Sequence, residues 1–262
     1  MRDMLSDLEA AERLMDPNPM RRAQKAMLTP MPKRFYKEAS VSEQGGQFVV
    51  VLDGRPVKTP ARNTLAFPTK SAAELVAAEF SAQEKEINPA TMPFTRLANT
   101  AIDGVSAEID AVLADIQRFS ANDMLCYRSE APEGLVKRQT EVWDRYLDWV
   151  RNRHGVVLLL ANGVMHVEQP HHSVDAFGKA LKAHAEPLVL ACLHAMTTMT
   201  GSAILALAIA EGEVGVEEAW AAAHLDEDWM IEFWGEDREA SERRANRWID
   251  MDAAARMLKS VQ

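Results

Sequence analysis

Between Pro187 and Ala210 the chain runs for 24 residues, PLVLACLHAMTTMTGSAILALAIA, without one Asp, Glu, Lys or Arg. No other stretch constrains the fold as strongly. A segment of that length must either cross a membrane or lie inside a core that the rest of the chain surrounds. The middle of the run decides between these. His194, Thr197, Thr198, Thr200 and the pair Gly201-Ser202 interrupt the apolar character, so the run predicts two buried helices with a break near Thr200-Gly201. No membrane insertion is expected. A core built on two such helices needs amphipathic partners, and the chain supplies them. Ile102, Val105, Ile109, Val112, Ile116 and Phe119 recur at steps of three and four, which predicts a helix over 97–124. Val136, Gln139, Trp143, Leu147 and Val150 do the same over 135–153. A helix is expected around 174–185, and a charged one covers 239–258.

Upstream the pattern is different. Gly45-Gly46 and Asp53-Gly54 flank the apolar run QFVVVL, and each dipeptide tolerates the positive φ of a tight hairpin turn. They predict a small antiparallel meander whose third strand, holding Pro56 and followed by Pro60, is short or at an edge. A helix from Ser71 to Ile87 follows, with Ser71 and Glu74 as a capping box. Asn162-Gly163 predicts a hairpin within the helical part. The fold class is therefore α+β: a small antiparallel β-rich N-terminal domain, then a larger, mostly α-helical domain containing one β-hairpin. The boundaries read as a flexible extension over 1–32, broken by Pro17, Pro19, Pro30 and Pro32, a β-rich domain over 33–92 and a helical domain over 93–262.

The densest mixture of aromatics and acids lies at 220–242. Read as one helix, Val216, Trp220, Ala223, Met230 and Trp234 share a stripe that Gly235 terminates. Glu227 falls on that stripe, where a carboxylate is costly without a partner. It is either a docking acid for another protein or half of an internal ion pair with an Arg, and buried charges are usually paired within their own chain.

Catalytic and ligand-binding signatures are missing from the sequence. There is no phosphate loop, no GxGxxG after a strand, no GxSxG elbow and no HExxH. His166, His171 and His172 lack zinc spacing, so no metal or cofactor is expected. A formal net charge of −10 disfavours nucleic acid as a partner. Cys126 and Cys192 fit free thiols in a reducing compartment. The acids at Asp3, Asp7, Glu9, Glu12 and Asp16 argue against a secretory signal and weaken a mitochondrial leader. A binding protein is the better class. Its rival is a small-metabolite enzyme with a site between the two domains, lined by Thr95, Arg96, Asn99, Tyr127 and Arg128.

Seven segments in order, RFYKEASV (34–41), LDGRPVKTP (52–60), AEFSAQ (78–83), MPFTRLANTAID (92–103), DMLCYR (123–128), GSAILALAIAEG (201–212) and LDEDWMIEFWGED (225–237), resemble the assembly chaperone of the F-type ATP synthase that binds its alpha subunit, found in mitochondria and alphaproteobacteria. The resemblance spans about 33–247. Phe80 stands where Trp is common in that family, and WDRYLDW (143–149) lacks the Pro often found after WD. The resemblance implies a β-rich domain followed by a helical one, no enzymatic activity, and retention of the alpha subunit until a beta subunit replaces it. It implies a bacterial cytoplasmic location, or the mitochondrial matrix in a eukaryote, and a monomer is expected. It also implies a functional acid near WGED. Glu236, Asp237 and Glu239 are the candidates expected to face the partner, with Asp226 and Glu227 beside them. Trp220, Phe233 and Trp234 are expected to anchor the segment to its own domain.

Overall fold

The computed structural model describes residues 31–163 and 165–262. Apart from its last two residues, the 1–32 extension lies outside the described residues. A four-stranded antiparallel sheet comes first, then helices. Strand β1 (Ala39–Gln44) pairs with β2 (Gln47–Leu52) from Ala39↔Leu52 to Gln44↔Gln47. Gly45 and Gly46 take φ of 59° and 79°, and Asp53 and Gly54 take 47° and 77°, the paired positive values of a type I′ turn. On the other side of β2 lie two short strands end to end. One is β3 (Arg55–Pro56), opposite Val51 and Leu52, and the other is β4 (Ala66–Phe67), opposite Phe48 and Val49. Pro56 cannot donate to a ladder, which suits a two-residue edge strand. Val49 to Leu52 are all buried, so both faces of β2 are covered.

Helix α1 (Lys70–Ala82) packs on this sheet. Its start differs from the expected capping box. Thr69 is the cap, its Oγ1 accepting from Ala72 N at 3.3 Å, while Ser71 Oγ donates to the Ser260 carbonyl at 2.9 Å. Thr69 Oγ1 donates to that same carbonyl at 2.7 Å. The beginning of α1 is thus tied to the far end of the chain. Thr69→Ala should lower stability by about 1–2 kcal/mol, as the loss of a cap plus a tertiary bond. Ser71→Ala should cost about half of that, and a denaturant titration of both variants checks the order.

The helix ends at Ala82 rather than Ile87. A separate small unit explains the change. Within it, Arg34 N donates to Lys85 O at 2.9 Å, Ile87 N to Pro32 O at 2.8 Å, and Asn88 N to Gln83 Oε1 at 2.8 Å. These are strand-like commitments that a helix cannot make.

Tyr36–Ala82 and Pro89–Gln262 form one compact unit. The helix expected over 97–124 is two helices, α2 (Pro93–Asp103) and α3 (Ile109–Ser120), separated at Gly104 by a 3₁₀ turn. Asp103 ends α2 by turning back to the sheet loop, where it accepts from Thr59 Oγ1 (2.6 Å), Ala61 N and Asn63 Nδ2 (both 2.9 Å). Strand β5 (Tyr127–Arg128) leads to α4 (Glu133–His154), which buries Leu135, Gln139, Trp143, Tyr146 and Val150. In place of a hairpin at Asn162-Gly163, strand β6 (Ala161–Asn162) pairs in parallel with β5.

Helix α5 (His171–Lys182) precedes the apolar pair, α6 (Pro187–Thr200) and α7 (Ala203–Ala210). They break at Gly201 (φ 70°), as their sequence predicts. Ala203 to Ala208 are all buried, so α7 is the centre of the core. No described helix is both long and apolar enough to cross a membrane. The chain closes with α8 (Val216–Ala223), α9 (Leu225–Trp234) and α10 (Arg238–Val261).

Candidate functional site

The stripe expected from Val216 to Trp234 assumes one helix, but the chain breaks it at His224 into α8 and α9. His224 is buried. Its Nδ1 sits 2.8 Å from the Trp220 carbonyl, and its ring lies 3.9 Å from the Trp220 ring. Burial pushes its pKa below the ordinary value, with the nearby Arg244 and Arg247 acting in the same direction. Trp220 in turn contacts Trp248 of α10 at 5.5 Å between centroids. This aromatic knot fixes α8 against α10.

Beyond the break the helical phase is lost: Leu225 is buried, but most of the later apolar side chains of α9 turn outward. Trp220 is buried as expected, but Phe233 and Trp234 do not anchor the segment: they are 64% and 82% exposed. Met230 is 54% exposed and Ile231 is exposed with them. Trp229 and Phe233 stack at 4.7 Å, and the Arg138 guanidinium lies 4.8 Å over Trp229. Arg138 also grips Glu232 through two bonds, at 2.6 and 3.0 Å. That bond holds the Glu232 carboxyl below its usual range. An arginine on α4 therefore pins α9 through Glu232 and the Trp229 ring, while Met230, Ile231, Phe233 and Trp234 stay exposed.

Between α9 and α10 lies an open groove of about 770 Å³. Trp220, Met230, Ile231, Trp234 and Trp248 form its apolar wall, and Asp226, Glu227, Glu236 and Asp237 also line it. Four of the five acids singled out in the sequence thus meet at one groove, and Glu239 stands outside its lining. Their individual environments differ. Asp226 Oδ1 accepts from Gln139 Nε2 at 2.8 Å. Glu227 is exposed, 4.0 Å from Arg244, whose firmer bond is to Asp228. The carboxylate on the stripe is thus solvated and loosely paired rather than buried. Asp237 caps α10, accepting from Ala240 N at 2.7 Å. Glu239 pairs with Arg243 one turn on, at 2.5 Å. Glu236 follows Gly235, whose φ of 85° ends α9, and has no hydrogen bond or ion pair among the described residues.

The residues proposed for a metabolite site do not converge. Thr95 donates from Oγ1 to buried Glu79 at 2.6 Å, Arg96 pairs with Asp250 at 2.6 Å, and Arg128 pairs with Asp144 at 2.8 Å. Of the five, only Arg96 lines the 550 Å³ groove beside α2. Among the described residues no group of three His, Cys, Asp or Glu side chains is placed to hold a metal.

The family model described as ATP12 chaperone protein matches residues 33–151. The crystal structure of Atp12 from Paracoccus denitrificans superposes with a TM-score of 0.83 at 34% identity, covering 88% of this chain and 99% of that one. The chain belongs to the ATP12 chaperone family. A second ATP12 relative, the mitochondrial protein atp12 of Schizosaccharomyces pombe, is 25% identical over 233 residues, 82% of this chain and 79% of its own. The Atu1473 protein of Agrobacterium tumefaciens is similar over 96% of this chain, with 52% identity and a TM-score of 0.86. The ATP12 fold, an N-terminal antiparallel sheet followed by helices, is the one described above.

Proposed function

We propose that this ATP12-family chain is an assembly chaperone of the F-type ATP synthase catalytic head. It holds the unassembled alpha subunit and prevents its aggregation until a beta subunit takes its place. One observation carries the reading: Met230, Ile231, Phe233 and Trp234 stand exposed together on a single helix beside an apolar groove. A soluble protein rarely leaves such a patch bare unless another surface covers it. The acids Asp226, Glu227, Glu236 and Asp237 line the groove beside this patch, with Glu239 next along α10, and such a rim steers a basic or mixed surface toward it. Aromatic and Met side chains suit the adaptable contact a transient client requires. Release by exchange asks only that the chaperone bind less tightly than beta does. Family membership and the sequence resemblance support the ATP synthase as the destination. A monomeric chaperone in the bacterial cytoplasm fits this role.

Co-expression with the alpha subunit alone, followed by pull-down, tests the reading. Soluble, co-purifying alpha supports it, and alpha that remains insoluble and unbound refutes it. Glu236→Lys refines the test. Because Glu236 has no internal bond, its reversal should leave the circular dichroism and unfolding midpoint unchanged. Capture should weaken by about two- to tenfold, mostly through a slower on-rate with less salt dependence. A stopped-flow association series in rising salt measures this, and unchanged association would remove Glu236 from the rim.

A further inference from the structure

A second surface, remote in sequence from the α9–α10 groove, is built from main chain. Residues 157–163 run along one edge of a strand that belongs to almost no sheet. Val157 bonds with both its main-chain groups to one side chain: its N–H donates to Ser173 Oγ at 3.2 Å, and its carbonyl accepts from that hydroxyl at 2.7 Å. Leu159 does the same with Gln169, N–H to Oε1 and Nε2 to carbonyl, both at 2.8 Å. Gly163 N donates to the Arg128 carbonyl at 2.9 Å, and the register Tyr127↔Ala161 continues the line through β6. Every odd-numbered residue therefore faces inward, toward α5 and β5. That alternation is the signature of extended backbone.

The even-numbered residues face the other way. Among the described residues, the N–H and C=O groups of Leu158 and Leu160 have no hydrogen-bond partner, and the same alternation puts Asn162 on their edge. Ser173 and Gln169, both buried, stand in for a neighbouring strand on one side only. Proteins normally blunt such an edge with charge, proline or a covering loop. Here the flanking side chains are Val157, Leu159, Leu160 and Met165, all exposed.

We infer that the 158–162 edge is a strand-addition site: an extended, apolar client segment with basic flanks pairs along it through main-chain hydrogen bonds. The charge around the edge selects that occupant over a second copy of this chain. At its Gly163 end the Glu130 carboxylate comes within 3.4 Å of where a Cβ on Gly163 would lie. Edge-to-edge pairing would bring together two chains of net charge −10 each, whereas a segment with basic flanks is attracted to that charge. The identity of the client as alpha rests on the reading above, whereas the edge itself does not.

The test uses the full chain and two probes. One is the alpha subunit. The other is a soluble Val/Thr peptide of about seven residues, the usual strand length, with Lys at each end. Residue-resolved hydrogen exchange is read with each. Protection should alternate: the amides of Leu158, Leu160 and Asn162 slow by about tenfold or more, while Val157 and Leu159, already bonded, do not change. Leu160→Pro deletes one outward donor, and it leaves Leu159 in the extended state a following proline favours. It should weaken peptide binding by about five- to tenfold, while Leu160→Ala, which keeps the donor, loses less. Unchanged exchange at Val157 and Leu159 in the unbound Leu160→Pro protein shows that the segment is intact. Alternating protection with either probe supports the edge. If the peptide protects it but alpha does not bind, the edge stands and the alpha reading falls. If alpha binds without alternating protection and the peptide does not bind, the edge proposal falls and the chaperone reading stands. A concentration-dependent dimer abolished by Leu160→Pro, without peptide binding, would assign the edge to a second copy and overturn the proposal.

Discussion

On the proposed role, replacing Phe233 and Trp234 together by Ala is expected to abolish capture of the unassembled alpha subunit while leaving the protein folded. The two halves of this expectation have separate grounds. Trp234 is 82% exposed and Phe233 is 64% exposed, and the ring contact of Phe233 is with the neighbouring Trp229. Truncating side chains that the fold does not bury changes stability by about 0.5 kcal/mol or less. On a partner's surface the same groups would be buried, where a Trp or Phe anchor is worth about 2 kcal/mol or more. Two anchors thus amount to about 4 kcal/mol, near a thousandfold in affinity. Titration of immobilised alpha subunit with wild type, each single variant and the double variant measures this. Trp220→Ala is the contrasting control. That side chain is buried against His224 and Trp248 at the base of the groove, so its loss should cost about 3–5 kcal/mol of stability and reduce capture mainly by destabilising the fold that carries α9. Full capture by the double variant would move the client surface away from α9.

How much of this was legible beforehand differs from element to element. The meander was readable because Gly45-Gly46 and Asp53-Gly54 carry their own conformational demand, and the observed φ values answer it. The α6–α7 break was readable for the same reason at Gly201. What failed was whatever depended on a distant partner. Asn162-Gly163 signals a local hairpin, yet β6 finds its neighbour at Tyr127–Arg128, more than thirty residues upstream. Ser71 and Glu74 fit a capping box, but Ser71 is taken by Ser260 near the other end of the chain. The aromatic stripe at 216–234 fits one helix at every position, and nothing in the sequence marks His224 as the point where the phase slips. Trp and Phe at helical spacing usually mean core, and that pattern makes Phe233 and Trp234 anchors, whereas the structure puts them on the exposed face of α9. The acids were brought together by α9 and α10, but their pairing was not foreseeable. Arg138 and Arg244, which take Glu232 and Asp228, come from α4 and α10.

Asp123, in the segment DMLCYR, is expected to matter as much to stability as any aromatic of the core. It is fully buried. Its Oδ1 accepts from Leu125 N at 3.1 Å and its Oδ2 from Ile204 N at 3.0 Å, so one carboxylate closes the turn before β5 and receives the first turn of α7, the centre of the core. Asp123→Ala leaves those buried N–H groups without acceptors and should cost about 3–5 kcal/mol. Asp123→Asn keeps the volume but turns an amide NH₂ toward one of them, for about 1–3 kcal/mol near neutral pH. The pH dependence separates this account from simple loss of packing. Burial pushes the Asp123 pKa from 3.8 up to about 6, against the pull of its hydrogen bonds from Ile204, Ser202 and Leu125. A raised carboxyl pKa means that the folded state holds its proton more tightly than the unfolded one. Its contribution is therefore full below about pH 4 and is lost as pH rises through about 6, amounting to about 3 kcal/mol. Asp123→Asn cannot titrate there. Unfolding free energies measured from pH 4 to 7 should therefore show the advantage of wild type over Asp123→Asn shrinking by about that amount as pH rises. A constant difference across the range would mean that Asp123 has the same pKa folded and unfolded, and that its role is confined to the two N–H groups it caps.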